Sequence, residues 1–257
     1  MVELQDNLKS FEENGIRVCA ISYDPVDVLG KFAEKFGITY PLLSDVSSAV
    51  IRRFGILNTH MPEGHPWYGV PFPGTYMSDE QGVVIDRSFY ANHAVRDSVA
   101  RMLQESFQVT DAERGLVQTV ETDSVRATVY LSSGTIRPGQ VLTFTVEVEV
   151  KEGRHIQARP LPEGYIPTTL TFEEVEGVHF GAVDYPAAKP HHLKTLGETL
   201  HIYDGRVALK APVRSSRKEA FAMRAWLEYQ ACDDRECFLP ERIDFEIPLT
   251  VLDNVRG

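Results

Sequence analysis

The sequence predicts two domains of different class. An α/β domain over residues 1–108 is followed by a linker at 109–124 and an all-β, immunoglobulin-like sandwich over residues 125–257. Three observations carry this. Amphipathic helices and short apolar strands alternate through about the first hundred residues. Over "QVTDAERGLVQTVETDS" (108–124) both periodicities vanish and the stretch is polar. Beyond it, apolar residues recur at every second position, the period of a strand with one buried face.

In the first half, Leu4, Leu8 and Phe11 recur at helical spacing, and Gly15 is placed as the C-cap of that segment. "IRVCAIS" (16–22) is short and almost wholly apolar, as a strand buried on both faces would be. In "YDPVDVLGKFAEKFGI", Asp24 is expected as N-cap and Pro25 at the first helical position. Leu29, Phe32, Ala33 and Phe36 form the buried stripe of that helix, and Gly37 ends it. "TYPLLSD" (39–45) reads as a strand and "DVSSAVIRRFGI" as a helix carrying Val50, Ile51 and Phe54. "PFPGTYMSDEQGVVIDRSFY" reads as a hairpin turning at Asp79–Gly82. "NHAVRDSVARMLQESF" closes the half as a helix, with Val95, Val99, Met102 and Leu103 on one face.

In the second half, "VLTFTVEVEV" (141–150) sets Leu142, Phe144, Val146, Val148 and Val150 against Thr143, Thr145, Glu147 and Glu149. That is a half-buried antiparallel strand. "VRATVYL", "TTLTFEEV", "ETLHIY", "RVALKAPV", "EAFAMRAWLEYQ" and "RIDFEIPLTVL" repeat the pattern, and "YDGR" supplies an Asp-Gly turn. About seven to nine short strands separated by turn signals is the pattern of an immunoglobulin-like sandwich.

Composition bounds the function. The 257 residues give room for two ordinary domains, and 43% hydrophobic with 25% charged residues is a globular mixture. The net charge of −11 is offset by no Lys/Arg run, so a phosphate backbone is repelled and nucleic acid is not an expected partner. No apolar run reaches the roughly 18 residues of a membrane span, and the N-terminus lacks the pattern of a signal peptide. The compartment stays open: cytoplasmic if the absence of a signal peptide is real, periplasmic or otherwise extracytoplasmic as the alternative.

The element order of the first half, with "VPFPGTYM" ahead of "SDEQGVVID", resembles the redoxin or AhpC/TSA (peroxiredoxin-like) branch of the thioredoxin-like superfamily over residues 1–108. The resemblance implies a thioredoxin-like fold and thiol-based antioxidant or redox chemistry. It puts Pro73, as a cis proline, and Thr75 at the border of the active site, where a cis X–Pro bond presents the preceding backbone to a substrate disulfide. Two departures matter. In the family the reactive Cys stands at the start of the helix that "VELQDNLKSFEENG" resembles, which places it upstream of Met1. Peroxiredoxins also place an Arg near the position of Pro73, where this sequence reads Phe72-Pro73-Gly74-Thr75. Both count against peroxidase chemistry. The family's central strand precedes that helix, so its two neighbours here would lack their shared partner. The chain is therefore expected to be a truncated form of a longer oxidoreductase, through an internally placed start or a selenocysteine codon taken as a stop.

Of three cysteines, Cys232 and Cys237 fall inside "YQACDDRECFLPE" (229–241). One strand ends near Gln230 and the next begins near Ile243, so the pair flanks a short loop. A loop that returns on itself can bring its ends within the roughly 4.4–6.8 Å Cα separation of a disulfide. The residues alone leave a redox couple, a structural staple and half of a zinc site open. Zinc needs two further ligands, and no second Cys pair exists. The acidic residues of the loop raise a thiol's pKa and slow its attack, with Arg235 as the local counterweight.

This stretch, with the sandwich, resembles the N-terminal domain of the DsbD thiol:disulfide interchange proteins over residues 125–252. Tyr229, Gln230, Cys232, Cys237 and Pro240 match a Y-Q-x-C … C-x-P-P segment, with Glu241 in place of the second proline and four residues between the cysteines instead of five. The resemblance implies that Cys232 and Cys237 relay electrons by thiol–disulfide exchange, with Tyr229 and Gln230 adjacent to them. It implies a thioredoxin-like or other thiol–disulfide protein as partner, and neither cofactor nor metal. It also implies a capping loop, for which "VDYPAAKPHHLKTLG" (183–197) is the candidate. The alternative is a non-catalytic interaction module whose disulfide is structural.

The remaining features have plainer expectations. Cys19 in "VCAI" is expected to pack in the core like a small apolar residue. His191 and His192 are expected to be solvated loop residues, and Trp226 covers the face opposite Phe221 and Met223. "HMPEGHPWYGVPFPG" (60–74) is expected to be a long connection, with a substrate or partner loop as the alternative.

Overall fold

The change of hydrophobic period along the chain is also the change of architecture. The computed structural model describes residues 1–109, 115–193, 198–233 and 235–254 and divides the protein into two units that part after residue 112.

The first unit contains α1 (Val2–Asp6), α2 (Leu8–Glu13), β1 (Ala20–Ser22), α3 (Val26–Phe36), β2 (Leu42–Ser44), α4 (Ala49–Arg53), β3 (Gly74–Ser78), β4 (Val84–Phe89), β5 (Arg96–Asp97) and α5 (Val99–Ser106). The expected N-terminal helix is broken at Asn7, whose side-chain amide donates to Glu3 O at 2.8 Å. Helix α3 starts one residue later than expected, with Pro25 at the N-cap, because the Asp24 carboxylate accepts from Ser22 Oγ instead of capping the helix. It ends as predicted at Gly37, which takes the left-handed conformation at φ 63°. Helix α5 begins only at Val99, since Ser98 Oγ accepts the Arg101 N–H at 3.1 Å and caps it there. Phe11, Met77, Val99, Met102 and Leu103 make a small core.

Two ribbons form within this unit: β1 with β2 in parallel, Ala20 opposite Leu42, and β3 with β4 antiparallel, Gly74 opposite Phe89. The expectation for "IRVCAIS" is corrected here. Only Ala20–Ser22 is strand, Ile21 is 37% exposed, and Cys19 is exposed instead of packed in a core. Among the described residues strand β1 has a partner on one edge only, so its sheet is too narrow to enclose it.

The second unit contains β6 (Gln118–Glu121), β7 (Val125–Leu131), β8 (Thr135–Ile136), β9 (Gln140–Val150), β10 (His155–Gln157), β11 (Thr169–Phe172), β12 (Val178–Phe180), β13 (Lys189–Leu193), β14 (Glu198–Tyr203), β15 (Arg206–Ser215), β16 (Phe221–Tyr229), β17 (Ala231–Cys232) and β18 (Glu241–Val251). One sheet runs β12–β15–β9–β7–β6, a second β11–β16–β18–β8, and a third β13–β14–β10–β17. Strand β6 falls in the stretch expected to be linker, and pairs with β7 from Gln118 opposite Val129 to Glu121 opposite Arg126.

The alternating residues of the two larger sheets interleave into one core, the immunoglobulin-like sandwich that the period-two runs predict. Leu142, Phe144, Val146 and Val148 from β9 meet Met223, Leu227 and Ile247 from the opposite sheet, all at 0% exposure. Thr143 and Thr145 are nearly as enclosed, so β9 is more buried than its alternation implies. Phe144 also makes an edge-to-face contact with Phe172 of β11, centroids 5.0 Å apart. Truncating it leaves a cavity between sheets that cannot collapse without shifting strands. Phe144→Ala should therefore cost about 3–5 kcal/mol, seen in urea unfolding of the full chain as an earlier transition of the β-rich unit.

Candidate functional site

The site is built on β10. After β9 the chain turns through residues 151–154, closed by the Arg154 N–H on Lys151 O at 3.1 Å, and returns as β10 between β14 and β17. The register sets His155 opposite Cys232 and Ile156 opposite Ala231, and the Gln157 N–H donates to Gln230 O at 3.2 Å. Directly opposed residues of an antiparallel pair share a face, and alternate residues share it too. His155, Gln157 and Cys232 therefore lie together, while Ile156 and Ala231 turn into the core at 0% and 1% exposure.

Cys232 and Cys237 are joined as a disulfide and face each other as an isolated antiparallel bridge. Their Cα atoms are 3.9 Å apart, closer than the loop argument anticipated, because the two residues are direct cross-strand neighbours. The loop is held independently of the sulfurs. The Asp233 N–H donates to Glu236 O at 3.0 Å, and the Asp233 carboxylate accepts the N–H groups of Arg235 (2.7 Å) and Glu236 (2.9 Å). The Phe238 N–H then donates to Ala231 O at 2.8 Å. The backbone donors of Glu236 and Arg235 hold the Asp233 carboxyl below its ordinary range.

The two sulfurs are unequal. Cys232 is 2% exposed and Cys237 is exposed. Gln157, fully buried, donates from Nε2 to Cys232 Sγ at 3.1 Å, and its Oε1 has no hydrogen-bond partner among the described residues. His155 is 5% exposed and meets the His191 ring of β13 at 4.8 Å between centroids. Arg154 lies over the Phe238 ring at 4.6 Å, donates to Ser124 Oγ at 2.7 Å, and its charge also lowers the Asp233 pKa.

The other predicted residues divide between the units. Gln230 stitches the loop down: its Nε2 donates to Phe238 O at 3.1 Å and its Oε1 accepts the Ile166 N–H at 3.2 Å. Tyr229 turns into the core, with its hydroxyl on Thr122 Oγ1 at 2.8 Å, and burial pushes its phenol up. In the first unit, Thr75 of β3 pairs with Ser88 and lines a groove of about 870 Å³ together with Leu4, Phe11, Cys19 and Met102. Pro73 is half-buried just before β3. Its peptide bond with Phe72 is trans, where the resemblance implied cis, and the cis bond among the described residues is Arg159–Pro160.

The expectation of solvated loop histidines is corrected. His191 and His192 are consecutive residues of β13, so one reaches His155 while the other is exposed on the opposite side with Nδ1 3.3 Å from Thr199 Oγ1. The capping-loop candidate thus includes an edge strand of the sheet that carries the disulfide, and its residues 194–197 lie outside the described residues. Trp226 carries the Arg242 guanidinium at 4.2 Å from its ring. Among the described residues, no group of three or more His, Cys, Asp or Glu side chains could hold a metal ion, and no helix is long and apolar enough to cross a membrane.

Sequence reasoning missed His155, Gln157 and Arg154. Their segment, "RHIQAR", is too short to show a period, and only the pairing register reveals that it faces the cysteines.

The β-sandwich thus carries a disulfide between one buried and one exposed cysteine. Residues 127–248 match the family described as Thiol:disulfide interchange protein DsbD, N-terminal, and residues 1–87 match the AhpC/TSA family. The chain carries a thioredoxin-like AhpC/TSA segment followed by a β-rich domain that resembles the DsbD N-terminal domain. It is similar to a peroxiredoxin-like protein of Mycobacterium tuberculosis, 32% identical over 83 residues, which make up 32% of this chain and 52% of that protein. The chain thus spans about half the length of the curated relatives it matches. Among solved structures it is similar to the N-terminal periplasmic domain of ScsB from Proteus mirabilis, with 14% identity, a TM-score of 0.38, and coverage of 55% of this chain and 52% of that one. It is also similar to the complex between the DsbD and PilB N-terminal domains of Neisseria meningitidis, with 13% identity, a TM-score of 0.30, and coverage of 41% and 73%.

The lowered Asp233 pKa fixes a pH window for the loop. Its contribution is complete above the ordinary carboxylate pKa of about 3.9 and is lost as pH falls through the lower folded value. The amides of Arg235 and Glu236 should keep their hydrogen-exchange protection and chemical shifts from neutrality down to about pH 4 and lose them only in stronger acid. In Asp233→Ala they should be unprotected at every pH.

Proposed function

We propose that the protein is a thiol–disulfide oxidoreductase that relays electrons through the Cys232–Cys237 couple. The observation that carries this is the asymmetry of the pair, one cysteine exposed and the other buried against an amide donor. An incoming thiolate must reach a sulfur from solvent, and Cys237 is the residue at the surface.

The exchange then runs in a defined order. A partner thiolate attacks Cys237 Sγ, a partner–Cys237 disulfide forms, the Cys232–Cys237 bond breaks, and its electron pair leaves on Cys232 as thiolate. The partner's second thiolate attacks its own sulfur in the mixed disulfide and releases Cys237. The partner dithiol ends as a disulfide and this couple ends reduced, with the two protons passing through solvent. In reverse, the Cys237 thiolate attacks an acceptor disulfide and Cys232 resolves the intermediate. The partner class that fits is a thioredoxin-like dithiol protein, whose thiol pair supplies both the attacking and the resolving sulfur. Leu239, 85% exposed beside Cys237, adds an apolar contact for such a partner.

A stabilising staple is the competing use of a disulfide. Closing a loop over a sequence separation of 5 removes little chain entropy, about 2 kcal/mol, and the Asp233 turn already holds that loop.

The order of attack is testable with single variants of the full chain. Cys232→Ser should trap a mixed disulfide through Cys237 with an oxidised thioredoxin-like protein, in roughly tenfold greater yield than Cys237→Ser traps one through Cys232. The wild-type couple should titrate in the exchange range, roughly −120 to −270 mV. A potential below about −300 mV, with no trapped complex, would sink the relay and leave a structural bond.

A further inference from the structure

Gln157 is fully buried, yet half of its polar function is unused in the oxidised protein. Its Nε2–H points at Cys232 Sγ, 3.1 Å away, and a neutral disulfide sulfur is a weak acceptor. Its Oε1 is buried with no donor among the described residues. A buried polar group without a partner is costly, whereas an apolar side chain of the same length would fill the space at no such cost. The residue is therefore poorly matched to the disulfide that it touches.

Reduction supplies what is missing. When the S–S bond opens, Cys232 Sγ first becomes a thiolate, and the amide N–H then faces a full negative charge, a far stronger acceptor. Once protonated, the same sulfur carries an S–H donor within reach of the same amide. A primary amide holds a donor and an acceptor on one group that turns about a single bond, so it can serve both forms. The charged alternatives on this face cannot: a Lys would serve only the thiolate, and a carboxylate would repel it.

We propose that Gln157 is a working part of the redox couple, stabilising Cys232 as the leaving thiolate and then accepting its thiol hydrogen, so that it biases the pair toward the reduced state. This rests on the relay reading above. The electrons and protons are those of the partner dithiol, and Gln157 itself is neither oxidised nor deprotonated. Gln230, on the next strand, does not share the role, since both ends of its amide are already used on Phe238 O and the Ile166 N–H.

The test is Gln157→Met in the full chain, which keeps length and apolar bulk and removes both polar functions. Its equilibrium with a reference dithiol should shift about tenfold toward the disulfide, equivalent to ~30 mV more negative. Its thermal stability should fall more in the reduced than in the oxidised protein. A side chain that merely fills space would lower both forms alike and leave the equilibrium within twofold of wild type, and that result would overturn the proposal. A second measurement needs no variant. In wild-type protein the side-chain NH₂ resonances of Gln157 should move on reduction and gain protection from exchange; resonances unmoved between the two redox states would also overturn it. The failures are separable. Wild-type protein that exchanges with no thioredoxin-like dithiol defeats the relay, whereas normal exchange with an unshifted Gln157→Met equilibrium defeats only the role of Gln157.

Discussion

The site depends on the pairing of β10 with β17. Only two residue pairs define that register, His155 with Cys232 and Ile156 with Ala231, yet it decides which side chains face the disulfide. It directs Ala231 into the sandwich and Cys232 onto the face that carries Gln157, and it anchors one end of the cysteine loop while the other end stays at the surface. A slip of one residue would turn Cys232 into the core and Ala231 toward Gln157, because side chains alternate along a strand. The inequality of the two sulfurs is thus a property of register before it is a property of the cysteines.

That register is in turn held from the core side. Ile156 and Ala231 sit in the same cluster as Phe144, Leu227 and Tyr229, and burying each large apolar side chain of that cluster contributes about 1.5–3 kcal/mol. Tyr229, three residues before Cys232, is locked at both ends: its ring is enclosed and its hydroxyl meets Thr122 at 2.8 Å. Its place next to the cysteine motif therefore has a mechanical explanation. It fixes the end of β16, and so the point where the chain enters β17. Gln230 adds the second tether by holding the loop's return at Phe238.

What was legible in the sequence follows the same division. Runs such as "VLTFTVEVEV" and "RIDFEIPLTVL" announce their faces because their period extends over several residues, and the sandwich follows from them. Local signals were legible as well, including the Gly37 stop and the loop between Cys232 and Cys237. The contributions of β10 were not, since three residues cannot display a period and their partners are distant in the chain: Gln157 lies 75 positions from Cys232. "IRVCAIS" misled for the converse reason. Its composition fits a strand covered on both faces, but cover is supplied by neighbouring elements, and among the described residues β1 pairs only with β2. The two adjacent histidines read as loop because polarity was the only cue, while the pairing of Lys189 through Leu193 with Glu198 through Ile202 makes them strand.

The acidic loop joins the two cysteines and bears on both. A carboxylate near a thiol raises its pKa, and Asp233 directly follows Cys232 while Glu236 directly precedes Cys237. Asp233 spends its charge on the backbone N–H groups of its own turn and faces the positive Arg154, which softens that effect. Cys232 lies inside, with an amide donor as its immediate neighbour. In thiol–disulfide exchange the better leaving group is the thiol of lower pKa, and the rate rises as the leaving thiolate is stabilised. In the proposed exchange, exposure makes Cys237 the accessible partner, while Cys232 has the Gln157 amide donor beside it to offset the burial that disfavours its thiolate. The exposure comes from the surface loop and the amide from β10, so the two influences have separate physical origins.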